Sequence, residues 1–129
     1  MIAIDSSALM AVVLNESDAD ACAKALASAT SRIISAAVLT EALIVAESRN
    51  LRPAVQALID QLDFNVIAVT RSTAEQAVMA YDRWGKGRHK AALNIMDCFS
   101  YALAKEMNCP LLFIGNDFIL TDIESALSL

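Results

Sequence analysis

The chain is poor in the residues that interrupt regular structure. Two prolines and three glycines among 129 residues leave little for long irregular loops, so connections should be short. Aromatic residues are 5% of the chain, so its core has to be aliphatic. The three cysteines, Cys22, Cys98 and Cys109, form no CxxC pair and are odd in number, which excludes both a disulfide framework and a cysteine zinc site. They read as small buried hydrophobes in a reducing compartment, and a cytoplasmic location is the expectation. No apolar run reaches the ~18 residues of a membrane span. The best candidate, Ala36-Ala37-Val38-Leu39, runs directly into Thr40 and Glu41. Met1-Ile2-Ala3-Ile4-Asp5 has no basic stretch and meets an acid at once, so no signal peptide is expected there. Positive charge is also scarce. A formal net charge of -5 excludes binding nucleic acid through bulk charge and demands a local basic patch or a metal ion instead.

What is present is hydrophobic. Such residues make up 57% of the chain, which excludes general disorder, and the length suits one domain spanning residues 1–129. Ile2-Ala3-Ile4, Arg32–Ser35, Asn65–Val69 and Leu111–Ile114 read as strands. Ser6 or Ser7 caps a helix from Ala8 to Leu14, and Ser17 or Asp18 caps one from about Ala19 to Ala29. Further helices run from Ala36 to about Asn50 and, with Pro53 in the first turn, to about Leu62. Thr70 or Ser72 opens a helix to Trp84 that Gly85 and Gly87 stop, and Asn94 caps one from Ile95 to Met107. Gly115-Asn116-Asp117 is a turn, and Asp122 is expected to cap a last short helix. Strands that alternate with helices and read as continuous apolar runs predict an α/β fold, a parallel sheet covered on both faces. Functional groups in such folds gather beyond the carboxyl ends of the strands.

Four carboxylates map to that edge. Asp5 ends the first strand, where it could equally cap a helix. Glu41 has Ala37, Val38, Ile44 and Val45 as its helical neighbours, and a lone acid on an apolar stripe faces either the interior or a cleft. Asp97 lies in a helix apolar nearly all round, where a capping box with Asn94 is the alternative role. Asp117 follows the fourth strand, in a turn where an acid is common. Carboxylates brought together repel and raise one another's pKa, and a divalent cation removes the conflict. Oxygen ligands alone favour Mg²⁺ or Mn²⁺ over zinc, and such an ion on a phosphodiester activates water and offsets charge on the leaving oxygen. The complementary feature is the basic loop carrying Arg83, Lys86, Arg88, His89 and Lys90, with Trp84 among them, a candidate phosphate-binding patch. His89, the single histidine, is a candidate general base or plain loop surface; Trp84 can stack on a base or pack at its helix end.

Met1–Leu9, Ser35–Ala42, Gly85–His89 and, most specifically, Ala91–Ala104 with Leu111–Phe118 and Thr121–Ile123 resemble PIN-domain toxins of the VapC type, in order along the whole chain. The resemblance implies a three-layer α/β/α sandwich and Mg²⁺- or Mn²⁺-dependent endonucleolytic cleavage of RNA. It places the acidic quartet on Asp5, Glu41, Asp97 and Asp117, with Ser7 supporting the first. It also implies a homodimer and a VapB-type antitoxin partner; the amphipathic helix from about Pro53 to Leu62, with Val55, Leu58, Ile59 and Leu62, is the expected dimer surface. Two departures stand out: Lys90 where relatives commonly carry proline, and Ile95-Met96 where they carry Phe-Gly, so that Met96 is expected to narrow the cleft beside Asp97.

Other readings fit less well. A phosphoryl-transfer enzyme of the haloacid-dehalogenase type needs a second aspartate at position 7, which is serine. A metal-dependent adhesion module needs a second serine at position 9, which is leucine. An inactive metal-binding or protein-interaction module of the same fold is the alternative that the intact quartet opposes.

Overall fold

The computed structural model describes residues 1–127. The elements run β1 (Ile2–Ile4), α1 (Ser6–Val13), α2 (Ala19–Ser28), β2 (Arg32–Ser35), α3 (Ala36–Ser48), α4 (Arg52–Gln61), β3 (Asn65–Ile67), α5 (Arg71–Trp84), α6 (Ile95–Glu106) and β4 (Leu111–Leu112). The strands form one parallel sheet in the order β3-β2-β1-β4. Strand β1 therefore lies in the interior, and every central strand is apolar on both sides.

Side-chain alternation divides the core between the two faces. Ala3, Ile33 and Leu111 point to one side and pack with Ala77, Ala80, Trp84, Cys98, Tyr101 and Leu103 of α5 and α6. Their neighbours Ile4, Ile34 and Leu112 point to the other and pack with Leu9, Leu26, Val38, Ala42 and Val55 of the first four helices. This is the three-layer α/β/α arrangement that the apolar runs predict. Small residues at the contacts (Ala8, Ala11, Ala42, Ala46, Ala77, Ala80) let the helices approach the sheet closely, which an aliphatic core without many aromatics requires. All three cysteines are free, Cys22 and Cys98 fully inside. No helix among the described residues is long and apolar enough to cross a membrane.

Local chemistry sets the boundaries. Asp5, rather than Ser6 or Ser7, is the N-cap of α1 and accepts from the Ser7 backbone N–H. Asp18 occupies the N-cap of α2 without a side-chain cap bond. Ser35 and Thr70 cap α3 and α5. Gly85 ends α5 with an ordinary φ of -72°, so left-handed freedom is not its use. A Cβ there would stand 2.4 Å from the Tyr81 carbonyl oxygen and 2.7 Å from Tyr81 Cδ2; only glycine lets the chain turn this tightly against that ring.

Three expectations are corrected. Strands β3 and β4 stop at Ile67 and Leu112, before the apolar Val69 and Ile114 that prolonged them in the sequence reading. Beyond these points the chain leaves the sheet, and hydrophobicity does not report hydrogen-bond pairing. No helix follows Asp122 among the described residues. There the chain runs parallel to β4, with Leu111 N–H donating to the Glu124 carbonyl and Ala126 N–H to the Leu111 carbonyl. The Asp122 carboxylate is taken instead by Tyr101 Oη at 2.6 Å and Lys105 Nζ at 3.1 Å. The apolar stripe of α4 packs on the second core: Val55 is fully buried, and Leu58, Ile59 and Leu62 are partly buried against it.

Candidate active site

Asp5 leaves the central strand at its carboxyl end and is 5% exposed. Its backbone N–H donates to the Leu112 carbonyl, which fixes the residue between β1 and β4. Both carboxylate oxygens are engaged. Oδ2 accepts from Ser7 N–H at 3.1 Å and Ser7 Oγ at 2.7 Å. Oδ1 accepts from Ser100 Oγ at 2.6 Å. The Ser7 hydroxyl in turn accepts from the Ile114 backbone N–H at 3.0 Å, so one serine ties the acid to the chain that leads from β4 to Asp117. This is the support that the resemblance implies for Ser7.

Glu41 projects from α3, half-buried. Ser6 Oγ donates to its Oε1 at 2.7 Å, joining α1 to α3 across the site. Asp97 sits in the first turn of α6, 8% exposed, in the capping box with Asn94: its Oδ2 accepts from Asn94 N–H at 3.0 Å, and Asn94 Oδ1 accepts from Asp97 N–H at 2.8 Å. The structural and the chemical readings of Asp97 thus coexist, because one oxygen caps the helix and the other is left free of that duty. Asp117 is exposed, in the turn opened by Gly115 at φ +95°.

The four share one electrostatic neighbourhood. The Asp97 pKa is raised from 3.8 to about 6: burial drives it up, the Asn94 backbone bond holds it down, and the charges of Asp5, Asp117 and Glu41 drive it further up. Among the described residues no lysine, arginine or histidine lies within 4.0 Å of any of these acids. Buried carboxylates without a cation are unfavourable. All-oxygen donors, two of them buried, facing no basic group, fit a hard divalent cation. Among the described residues no three of these acids are grouped closely enough to hold an ion, so the fit rests on the chemistry of the donors and not on their spacing.

The five basic residues do not form a single patch. Arg83 stacks over Trp84 at 4.6 Å and stands 3.8 Å from Asp122. Arg88 faces Asp82 at 3.7 Å. His89 packs edge-on against Trp84 with ring centroids 4.8 Å apart, and its Nδ1 accepts from Ala91 N–H at 3.0 Å. That ring ties the loop to the end of α5. Lys90 is exposed, and Lys86 lines a recess together with Glu41, Asn94 and Met96. Trp84 is a core residue, 9% exposed, so packing and not stacking is its role. Met96 is half-buried and lines a recess together with Glu41.

Ser6 and Ser100 escape the sequence reading. The signal was there for Ser100: it is a hydroxyl one turn after Asp97 on a helix that is otherwise apolar, and buried polar groups need partners. Its partner is 95 positions away, which only the fold supplies. Replacing Ser100 by alanine should cost about 1–3 kcal/mol, the value of a hydrogen bond to a charged group, read as a lowered midpoint in urea. It should also weaken Mn²⁺ binding by about tenfold or more in titration calorimetry, because the orientation of Asp5 is no longer fixed.

The PIN domain profile matches residues 2–124. Ribonuclease VapC of Mycolicibacterium smegmatis is 45% identical over 123 residues, covering 93% of this chain and 95% of the relative. Ribonuclease VapC30 of Mycobacterium tuberculosis is 42% identical over 123 residues, covering 93% and 94%. Two solved structures share the fold. Mycobacterium tuberculosis VapC20, a sarcin-ricin loop cleaving toxin, superposes with a TM-score of 0.81 at 19% identity, covering 99% of this chain and 100% of that one. A toxin–antitoxin complex from Klebsiella pneumoniae gives 0.75 at 16% identity, with all of both chains covered. With a parallel α/β/α sandwich, acids gathered at the strand ends and relatives matched over nearly their full length, the chain belongs to the PIN-domain family and, within it, to the VapC group.

Proposed function

We propose that this chain is a Mg²⁺- or Mn²⁺-dependent endoribonuclease, the toxin of a toxin–antitoxin pair, held in check by a VapB-type antitoxin. The observation that carries the reading is the convergence of Asp5, Glu41 and Asp117 on a buried Asp97 without a basic partner. The relatives named ribonucleases support the substrate class, and the toxin–antitoxin complex with the same fold supports the partner. Action in the cytoplasm and as a homodimer belongs to the same reading.

The residues divide the work as follows. Asp5, Glu41, Asp97 and Asp117 would hold the cation. Bound there, it supplies an activated water and compensates charge on the leaving oxygen of the phosphodiester. Ser7 and Ser100 fix the plane of the Asp5 carboxylate from both sides, and Ser6 fixes Glu41. Such preorganisation keeps the acids where negative charge is useful only with metal present. The capping bond on Asp97 holds that side chain still and occupies only one of its two oxygens.

The direct test is incubation of the purified chain with a long single-stranded RNA. Internal cleavage is expected with Mg²⁺ or Mn²⁺ and none with a chelator. Equal cleavage in the chelator would remove the metal from the proposal, and intact RNA under every condition would remove the nuclease.

A further inference from the structure

Three neighbouring recesses share lining residues in series as one groove, and two of them take in Glu41 of the quartet. The first, about 370 Å³, is lined by Ala37, Thr40, Glu41, Ile44, Val45 and Met96. The second, about 450 Å³, shares Glu41 and Met96 with it and adds Tyr81, Lys86, Asn94 and Ile95. The third, about 430 Å³, shares Tyr81 and Ile95 and continues between α5 and α6. The outer stretches are apolar. Only the middle one carries both signs of charge, Glu41 and Lys86, and it also has an aromatic wall.

That wall is preset. The Tyr81 hydroxyl donates to the Lys86 carbonyl at 3.1 Å. The ring lies against Gly85 so closely that no side chain is tolerated there. A half-exposed tyrosine pinned at both ends and packed against the core between α5 and α6 keeps one orientation. Of the basic residues in this region, Arg83 and Arg88 are turned to Asp122 and Asp82, which leaves Lys86 as the one lining the groove next to an acid of the quartet.

We infer that the middle of this groove is the binding site for one unpaired ribonucleotide adjoining the scissile phosphate. Its base lies on Tyr81, and Lys86 meets its phosphate. This deepens the endoribonuclease reading and rests on it. A cation and a fixed aromatic ring a few residues apart are the two elements that bind single strands with little sequence preference. A base held in a duplex has no free face for the ring, so the site selects unpaired RNA. In a chain of net charge -5, with few phosphate contacts available, one lysine accounts for much of the electrostatic part of binding.

The test uses a fluorescein-labelled octauridylate and octaadenylate, with Asp97→Asn as the parent so that the probe is not cut, and fluorescence anisotropy as the readout. Tyr81→Leu should bind about tenfold more weakly. Tyr81→Phe, which keeps the ring against Gly85, should restore most of that loss. Lys86→Gln should weaken binding and make the dependence of log affinity on log salt shallower by about 0.7 to 1. Lys86 is exposed, so this variant stays informative even where Tyr81→Leu loosens the fold. If RNA is cleaved by the unsubstituted chain while Lys86→Gln and Tyr81→Phe and Tyr81→Leu all bind as the parent does, the subsite is overturned and the nuclease reading stands. If the unsubstituted chain neither binds nor cleaves RNA, both fall together.

Discussion

Asp97→Asn should abolish RNA cleavage while making the metal-free protein more stable at neutral pH. The first effect follows from the loss of a charged ligand: several kcal/mol of charge stabilisation at the reacting phosphate corresponds to a rate at least about a thousandfold lower. The second follows from the environment of the acid. Folding raises the Asp97 pKa from 3.8 to about 6, so the folded chain binds this proton more tightly than the unfolded chain does. The contribution to stability is therefore fully present below about pH 4 and is lost as the pH rises through about 6. Above that, the protein carries a buried negative charge among Asp5, Asp117 and Glu41. Asparagine keeps an oxygen for the Asn94 backbone N–H and removes the charge, so the capping box survives and the repulsion does not.

Thermal melts without metal should thus show the unsubstituted chain losing stability between pH 5 and pH 7.5 and the variant losing less. Asp122 does not obscure the comparison. Burial pushes its pKa up, but the hydrogen bonds from Tyr101 and Lys105 and the charges of Lys105 and Arg83 together outweigh burial and lower it, so its contribution disappears only below the ordinary carboxylate range. A variant that is both inactive and destabilised at pH 7.5 would show that Asp97 serves the fold alone.

Mn²⁺ should raise the melting temperature at pH 7.5 by about 10 °C when present at about a hundred times its dissociation constant, since binding to the folded state alone then contributes about 2.7 kcal/mol. The size of the gain reflects the same repulsion, which the cation relieves. At pH 5.5 the gain should shrink, because the proton on Asp97 competes with the ion for the same oxygens. Differential scanning calorimetry at the two pH values, with Asp97→Asn alongside, measures both effects. An equal Mn²⁺ shift in that variant would place the ion elsewhere on the molecule.

Particular residues show why part of this was readable in advance. Glu41 stood out because its helical neighbours are apolar, and Asp5 because it follows a strand that starts the chain; both signals are periodic and local. Asp97 was ambiguous between cap and ligand in the sequence, and the ambiguity is physical, since its two oxygens allow both. The basic loop misled as a group. Five basic residues within eight positions looked like one patch, yet Asp122 and Asp82 draw two of them away and Trp84 takes the histidine. Asp82 was in view beside the loop, but the approach of Arg83 to Asp122, far along the chain, leaves no trace in local composition. The α4 stripe was legible only in part: amphipathicity says that a face is covered, and the fold shows how much of Val55, Leu58, Ile59 and Leu62 its own core takes.

By itself the sequence determined the alternation of strands and helices, the two-sided burial of the sheet and the four acids at its carboxyl edge. Hydrophobic period, capping residues and scarcity of breakers act over a few residues, and these suffice for that much. The tertiary structure alone decided which hydroxyls hold the acids, Ser6 on Glu41 and Ser100 on Asp5, and which single lysine lines the groove. Those contacts join residues up to 95 positions apart, and their geometry exists only once β1, β4 and α6 are packed together.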